Sequence, residues 1–274
     1  MRTVLITGGA RGIGWHLTAG FLADPQYQVV VCARNTDSLA KAENDFADFR
    51  DRLTLLQADV GREEDVERMI KRINLEKNSL HVLINNAGIY GPIGDIADIS
   101  SSAWLEAVNI NLMGVFYTCK HAVPLMRKTG FGRIINLSGG GATKPMPGYS
   151  AYCSTKAAVV RFSETLAQEL HEDGIFVNSI APGFIATDIH QATLKSRHPV
   201  IGSFLQQTEA KMKSGGDDPN RAVKLALHLA SEKCTLSGKL ISAIHDPWDH
   251  DEQNFTPNYW TLRRIDDVFY REIN

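Results

Sequence analysis

The sequence predicts one doubly wound α/β domain, in which a parallel sheet of about seven strands carries helices on both faces. Short apolar runs rich in β-branched residues alternate with amphipathic segments of helical length along most of the chain. Such apolar runs are typical of strands buried on both faces of a parallel sheet. No linker divides this alternation, so we expect a single domain over residues 1–244 and a C-terminal tail over residues 245–274.

The expected strands and helices follow one another in strict order. The apolar runs that predict strands are 4–6, 28–33, 53–56, 80–84, 133–137, 176–180 and 239–243. The helical patterns are 17–22, 39–49, 63–73, 104–126, 157–170 and 221–231. Residues 188–218 form a looser, partly apolar region in which we expect the substrate loop and a lid helix. We expect residues 89–96 and the turn after Ser138 to form the other walls of the substrate pocket.

A glycine-rich turn follows the first strand. The segment Thr7-Gly8-Gly9-Ala10-Arg11-Gly12-Ile13-Gly14 leads from that strand directly into a helix. Glycines here allow the main chain to approach a diphosphate closely, and the helix N-terminus adds free N–H groups and a favourable dipole. The strand–turn–helix context therefore indicates a dinucleotide site, although an ordinary connection has the same pattern.

The end of the second strand indicates which dinucleotide is bound. An acidic side chain there would bind the ribose hydroxyls of NAD, but Ala33 and Arg34 occupy this place. Arg11 lies in the glycine turn, and two guanidinium groups can hold the 2′-phosphate of NADP. We therefore expect NADP(H) in preference to NAD(H), the alternative being that both arginines are surface charges.

A tyrosine and a lysine spaced four residues apart form the candidate catalytic pair. Tyr152 and Lys156 lie on the same face of any helix that contains both. A nearby ammonium favours phenolate and lowers the pKa of a phenol towards the range that is useful for proton transfer. Alone the pair is a weak signal, because many helices carry such a pair on a solvated face. Asn111, in apolar company within a helix, indicates either a kink that exposes the backbone or a polar tie between helices.

Composition excludes several classes of function. The chain has 274 residues and a net charge of −2, and its Lys and Arg residues form no basic run, so we expect neither a nucleic-acid nor a membrane partner. Its four cysteines lie far apart, which argues against a disulfide framework or a zinc site. No apolar stretch is long enough to span a membrane, and the first apolar run is too short for a signal sequence. We expect a cytoplasmic protein.

Taken together, these motifs resemble the short-chain dehydrogenase/reductase family, in its short single-domain subgroup. The glycine turn is similar to that family's T-G-x-x-x-G-x-G, and Tyr152 with Lys156 to its Y-x-x-x-K. Asp59, the Asn85-Asn86-Ala87-Gly88 turn, Asn111, and Pro182-Gly183 with Thr187 match further family motifs in order and spacing. The resemblance extends from about Thr3 to Ala243 and implies a Rossmann-type fold.

The resemblance implies hydride transfer between a nicotinamide and a carbonyl or secondary alcohol. Tyr152 would act as general acid or base, and Lys156 would lower its pKa and bind the nicotinamide ribose. Asn111 would hold a water, and a serine would polarise the substrate oxygen. The cofactor would be bound by Gly8, Arg11, Gly12, Ile13, Gly14, Arg34, Asp59, Val60, Asn85, Ala87, Gly88, Tyr152, Lys156, Pro182, Gly183, Ile185 and Thr187.

The serine is where this chain departs from the family. Most relatives place it one residue nearer the tyrosine, at the position of Gly139. We expect the glycine-rich turn to shift Ser138 into the site as a catalytic residue. The alternative is that Ser138 only caps the strand end and leaves Tyr152 and a water to polarise the carbonyl.

The C-terminus is a second departure. Residues 242–248 replace the family's usual short turn, and an aromatic-rich tail follows that we expect to pack on the body or on a partner subunit. The aromatic residues are Trp248, Phe255, Tyr259, Trp260, Phe269 and Tyr270. His245, Asp246, Asp249, His250 and Asp251 are spaced too loosely for a metal site, so we expect a solvated acidic loop.

The leading interpretation is an NADP(H)-dependent oxidoreductase acting on a small carbonyl or alcohol substrate. The alternative of a different class is a non-catalytic NADP-binding sensor or scaffold on the same fold. An epimerase or dehydratase is disfavoured, because those relatives usually carry T-G-x-x-G-x-x-G. The resemblance also implies a homodimer or homotetramer, formed through the helices around 104–126 and 152–170, where Val159, Phe162 and Leu166 support packing within or between chains.

Overall fold

The computed structural model describes residues 1–249, in which seven strands form one all-parallel sheet. The strands are β1 Arg2–Thr7, β2 Tyr27–Ala33, β3 Leu53–Gln57, β4 Val82–Asn85, β5 Gly132–Leu137, β6 Ile175–Ala181 and β7 Leu240–Ser242. Their spatial order is β3-β2-β1-β4-β5-β6-β7, and each neighbouring pair is parallel. The predicted seven-stranded doubly wound sheet is confirmed.

Helices connect the strands and cover the sheet. They are α1 Gly12–Ala23, α2 Thr36–Asp45, α3 Glu63–Lys77, α4 Ser101–Val108, α5 Gly114–Thr129, α6 Ser150–Glu169, α7 Gln191–Ser196, α8 Gly202–Ser214 and α9 Pro219–Ala230. A π-helical segment, Asn109–Met113, joins α4 to α5.

The apolar runs of the central strands supply two hydrophobic cores, one on each face of the sheet. Val4 and Ile6 of β1 belong to the core that also contains Phe21 of α1. Leu5, between them, belongs to the opposite core with Ile70 of α3. Successive side chains of a strand point to opposite faces, so a strand buried on both sides must be apolar at every position.

The strand order places the candidate site. β1 is paired with both β2 and β4, so the order reverses at β1, and the crevice beyond the carboxyl ends of β1 and β4 is the usual ligand position in such sheets. The glycine turn that follows β1 and the Asn85–Gly88 turn that follows β4 both lie at this edge.

Two segments differ from the sequence-based expectation. The helix expected to extend to Phe49 ends at Asp45, and a 3₁₀ segment, Ala47–Arg52, follows it. The looser region at 188–218 contains two helices, α7 and α8, so a helix is present where we expected one, and the region is more regular than its sequence suggested. The role of either helix as a lid stays a prediction.

The described chain ends just after the last strand. Trp248 is buried in one of the two cores, and its indole N–H donates a hydrogen bond to the Ala243 carbonyl. The expectations for His250, Asp251 and the remaining tail aromatics lie outside the described residues. Within residues 1–249, no helix combines the length and apolar character needed to cross a membrane.

Candidate active site

Tyr152 and Lys156 lie one turn apart in the first half of α6. The Lys156 ammonium donates a hydrogen bond to the Leu137 carbonyl at the end of β5, at 2.6 Å. It lies 5.8 Å from the centre of the Tyr152 ring. The i, i+4 spacing therefore brings a phenol and an ammonium together at the carboxyl edge of the sheet.

Burial dominates the protonation of this pair. It raises the pKa of the Tyr152 phenol above its ordinary value and lowers the pKa of Lys156 to about 8. Burial is the largest cause of both shifts, since surroundings of low dielectric constant disfavour a charged group, and the neighbouring Cys153 adds to the rise for Tyr152. The Tyr152 pKa therefore lies above its ordinary value, opposite to the lowering that we expected from Lys156, whose ammonium donates to the Leu137 carbonyl. The phenol therefore stays protonated at neutral pH, which is the form that can donate a proton.

Asn111 lies in the π-helical segment between α4 and α5. Its fully buried side chain accepts a hydrogen bond from the Ile89 N–H at 2.8 Å and donates one to the Ile89 carbonyl at 2.8 Å. It also donates to the Thr155 hydroxyl of α6 at 3.1 Å. The regular helix is therefore interrupted here, and the side chain forms the polar tie that was the alternative expectation.

Ser138 does not occupy the place that we expected for it. Its buried hydroxyl donates a hydrogen bond to the Lys156 carbonyl at 3.3 Å, and its N–H donates to the Ile180 carbonyl. Gly139 faces the tyrosine instead, because a methyl group added at Gly139 would lie 2.6 Å from the Tyr152 hydroxyl. The extended backbone of Gly139 lets the turn pass the phenol without a side chain. Ser138 thus fastens the end of β5 to α6, as the alternative interpretation held.

The glycine turn leaves room for a ligand by excluding side chains. Gly8 and Gly12 have φ of +63° and +55°, in the left-handed region that favours glycine. A methyl group at Gly14 would lie 2.1 Å from the Gly8 carbonyl oxygen and 2.6 Å from the Asn86 amide nitrogen. The turn is therefore a main-chain cradle of the kind that binds a diphosphate at a helix N-terminus.

A cavity of about 710 Å³ lies along this edge of the sheet. The predicted cofactor residues that line it are Gly8, Arg11, Gly12, Ile13, Arg34, Asp59, Val60, Ala87, Gly88 and Thr187. Gly88 connects the cavity to Lys156 and Asn111, because a methyl group at Gly88 would lie 3.4 Å from the Lys156 ammonium and 3.2 Å from the Asn111 side-chain oxygen.

Several predicted cofactor residues lie outside the cavity lining. They include Gly14, Tyr152, Lys156, Pro182, Gly183 and Ile185. Asn85 is a further one, because its buried side chain donates to Asn136 at 2.8 Å and accepts from Thr118 at 2.7 Å. The Asn85 amide therefore links neighbouring elements inside the protein, and it is not available to a ligand.

The two arginines lie on the cavity, and each faces carboxylates. Arg34 lies 3.8 Å from Asp59 and 3.8 Å from Glu106, and Arg11 lies 3.9 Å from Asp188. Both guanidinium groups are largely exposed, so these pairs contribute little to stability and are easily exchanged for another anion. Sequence reasoning missed Glu106, because nothing in its helix indicates that it approaches Arg34.

Residues from 89–96 and 188–218, where we expected the substrate walls, line the far end of the cavity. Tyr90, Pro92 and Ile189 lie there, and the Tyr90 ring lies edge-on to the Tyr152 ring with centroids 4.9 Å apart. The sequence did not indicate this ring contact. Among residues 1–249, no group of three or more His, Cys, Asp or Glu side chains is arranged to hold a metal ion.

Comparison with known proteins agrees with this geometry. The family described as short chain dehydrogenase matches residues 2–198. The 3-oxoacyl-[acyl-carrier-protein] reductase FabG of Staphylococcus epidermidis is 33% identical over 244 residues, which are 88% of this chain and 96% of that protein. The putative oxidoreductase YtkK of Bacillus subtilis is 30% identical over 247 residues, covering 89% of this chain and 95% of that protein.

Solved structures show the same relationship. ElxO with NADP bound superimposes with a TM-score of 0.77 and 29% identity, covering 88% of this chain and 96% of that one. The NADP active-site complex of Pseudomonas aeruginosa RhlG has a TM-score of 0.76 and 26% identity, covering 88% and 94%. The chain therefore belongs to the short-chain dehydrogenase/reductase family of oxidoreductases.

Proposed function

We propose that this protein is an NADP(H)-dependent reductase of a small carbonyl substrate, with Tyr152 as general acid. The observation that carries the proposal is a buried, protonated phenol with a buried ammonium, which lie directly behind Tyr90 and Gly88 of the cavity lining. The reverse reaction, oxidation of a secondary alcohol, would use the same residues with Tyr152 as the base.

The main-chain cradle of the glycine turn would hold the diphosphate, and Thr187 and Gly88 would border the nicotinamide half. The bound nicotinamide supplies the hydride that reduces the carbonyl carbon. Tyr152 donates its hydroxyl proton to the carbonyl oxygen as negative charge develops there. Lys156 holds a positive charge behind Gly88, and a cation there would offset part of the cost that burial places on the phenolate left after the transfer.

Preference for NADP(H) rests on Arg11 and Arg34. Both line the adenosine end of the cavity, and no acidic residue follows β2 to bind a free ribose hydroxyl pair. A 2′-phosphate would take the place of Asp59 and Glu106 at Arg34, and a guanidinium group binds phosphate more strongly than it binds an exposed carboxylate at 3.8 Å. The two NADP-bound structural relatives support the same choice.

The substrate side of Tyr152 is apolar. Ile93, Met146, Ile189, Phe204 and Leu205 pack around the tyrosines of this region as one hydrophobic cluster. This surface suits a ketone with a hydrocarbon part, and relatives named 3-oxoacyl reductases make 3-oxoacyl thioesters the first compounds to assay. With no serine beside the phenol, we propose that Tyr152 and a water polarise the carbonyl.

The test compares Tyr152→Phe with wild type on a carbonyl panel that includes 3-oxoacyl thioesters. Loss of the proton donor should abolish oxidation of NADPH, while NADPH still binds with an unchanged Kd. Tyr117→Phe, a half-buried tyrosine on α5, is the matched control and should keep full activity. Retained turnover in Tyr152→Phe would remove the proposed donor. Tight NADPH binding without wild-type turnover on any ketone would favour a sensor.

We also propose that the protein is a cytoplasmic homodimer or homotetramer. Leu105 of α4 and Phe116 of α5 are large exposed hydrophobic residues, and the Phe116 ring lies 6.4 Å from Phe162 of α6. The four cysteines are free thiols, three of them buried, which suits a reducing compartment. Light scattering of wild type and of Phe116→Asp tests the assembly, since a wild-type monomer would contradict it.

A further inference from the structure

Two buried tyrosines fasten the segment that follows β6 to the body of the protein. The Tyr90 hydroxyl lies 2.9 Å from Nδ1 of His190, and the Tyr149 hydroxyl donates to the Thr193 hydroxyl at 2.8 Å. All four residues are buried. We call residues 184–205, which include His190 and Thr193, the cover segment.

The Tyr90–His190 bond belongs to an aromatic cluster that reaches the proton donor. The Tyr90 ring lies edge-on to Tyr152, at 4.9 Å between centroids, and to Tyr149, at 5.2 Å. The His190 ring stacks on Phe184 at 3.8 Å. Edge-to-face packing of this kind fixes the position of each ring. One hydrogen bond therefore joins the cover segment to the ring that holds the Tyr152 side chain in place.

Both side chains of the Tyr90–His190 hydrogen bond have the protonation state that the bond requires at neutral pH. Burial lowers the pKa of His190 to about 4, and the charge of Lys211 acts in the same direction. Burial raises the pKa of Tyr90 above its ordinary value. At neutral pH the imidazole is uncharged and can accept a hydrogen bond at Nδ1, and the Tyr90 hydroxyl carries the proton that it donates.

The cover segment lies over the glycine turn. A methyl group at Gly12 would lie 3.5 Å from Thr187, three residues before His190. The other polar link in this place, Arg11 to Asp188, is exposed and long at 3.9 Å, so it holds the segment only weakly. The two buried hydrogen bonds, together with the packing of Ile201 and Phe204 on Tyr149, are therefore the main contacts that hold the cover segment closed.

We propose that Tyr90 and His190 are positioning residues, whose hydrogen bond holds the cover segment closed over the cofactor cavity and fixes the ring against which Tyr152 packs. Removing the Tyr90 hydroxyl would leave Nδ1 of His190 buried without a partner, and the segment would then gain free energy by opening to water. The kinetic consequences rest on the proposed function, but opening itself does not.

Limited proteolysis measures opening directly. Lys195 and Arg197 are exposed trypsin sites within the cover segment. Tyr90→Phe keeps the ring packing and removes only the hydroxyl, so cleavage at these sites should be about tenfold faster than in wild type. The NADPH Kd should rise by a similar factor, while kcat at saturating NADPH changes by less than about threefold. Tyr27→Phe, which alters a buried tyrosine at the opposite end of the sheet, is the matched control and should leave the cleavage rate unchanged.

A second pair of variants separates this bond from a general loss of packing. His190→Asn keeps a hydrogen-bond acceptor near the position of the His190 Nδ1 atom, so trypsin should cleave it as slowly as wild type. His190→Leu has no acceptor and should be cleaved as fast as Tyr90→Phe. The double variant Tyr90→Phe/His190→Leu should be no worse than either single one, because both remove the same bond. Unchanged cleavage in Tyr90→Phe, or additive effects in the double variant, would overturn the proposal. An inactive wild-type enzyme would refute the proposed function, yet the cleavage rates would still decide this one.

Discussion

A methyl group at Gly139 should disable the tyrosine without disturbing cofactor binding. In Gly139→Ala the new carbon would lie 2.6 Å from the Tyr152 hydroxyl, whereas ordinary contact begins at 3.4 Å. The phenol must therefore move by about 0.8 Å, the difference between these two distances. Misplacement of a reacting group by about 1 Å costs on the order of 100-fold in rate. We expect kcat to fall by that factor, which corresponds to ~2.7 kcal/mol of transition-state stabilisation.

The assay follows NADPH oxidation with the best ketone of the panel, together with the Kd for NADPH from the change in its fluorescence on binding. Gly140→Ala is the matched control, because a methyl group there meets nothing within 4 Å, and it should keep the wild-type kcat. Gly139→Ser is the sharper variant, since it supplies the serine that most relatives have. The same clash predicts that it is slower than wild type. A Gly139→Ser enzyme faster than wild type, or a fully active Gly139→Ala enzyme, would refute the reasoning.

Three further perturbations test other parts of the site. Arg34→Ala should raise the Kd for NADPH about 10-fold or more and leave the Kd for NADH unchanged, because only NADPH carries the 2′-phosphate. Arg72→Ala is the control and should change neither Kd. Equal effects on both cofactors would show that Arg34 does not bind the phosphate. Burial lowers the Lys156 pKa from 10.5 to about 8, so between these pH values the unfolded chain binds this proton more tightly than the folded chain does. The free energy of unfolding of wild type, measured with urea, should therefore rise relative to that of Lys156→Met by up to ~3 kcal/mol as pH increases from 8 to 10.5. A difference that does not change with pH would contradict the lowered pKa. Asn111→Leu leaves the N–H and carbonyl of Ile89 unpaired and should lower the free energy of unfolding by roughly 2–5 kcal/mol, whereas a loss below 1 kcal/mol would mean that water replaces the amide.

Much of the fold could be predicted because its signals are local. Continuous apolar runs mark strands that are buried on both faces, and the alternation with helices leaves few topologies for a parallel sheet. The juxtaposition of Tyr152 and Lys156 was predictable for the same reason, since four-residue spacing on a helix fixes it without knowledge of the rest of the chain.

The orientation of single side chains could not be predicted in this way. Whether Ser138 or Gly139 faces the phenol depends on the path of one glycine-rich turn, and the extended backbone of Gly139 settles it in the structure. The approach of Glu106 to Arg34 joins residues that are distant in the sequence, so no local pattern reveals it. The protonation of Tyr152 depends on burial, which a helix spacing does not report.

The hydrogen bonds of Asn111 divide the site into parts that can change independently. They join the Ile89 main chain to α6 through Thr155, and Lys156 is joined to the end of β5 through Leu137. None of these links involves the cover segment. Substitutions in the cover segment away from Ile185, Thr187, His190 and Thr193 can therefore accumulate without affecting these links, and under the proposed function they would alter which ketone is accepted. The same separation makes the remaining positions of 184–205 the natural region in which to build libraries for new substrates.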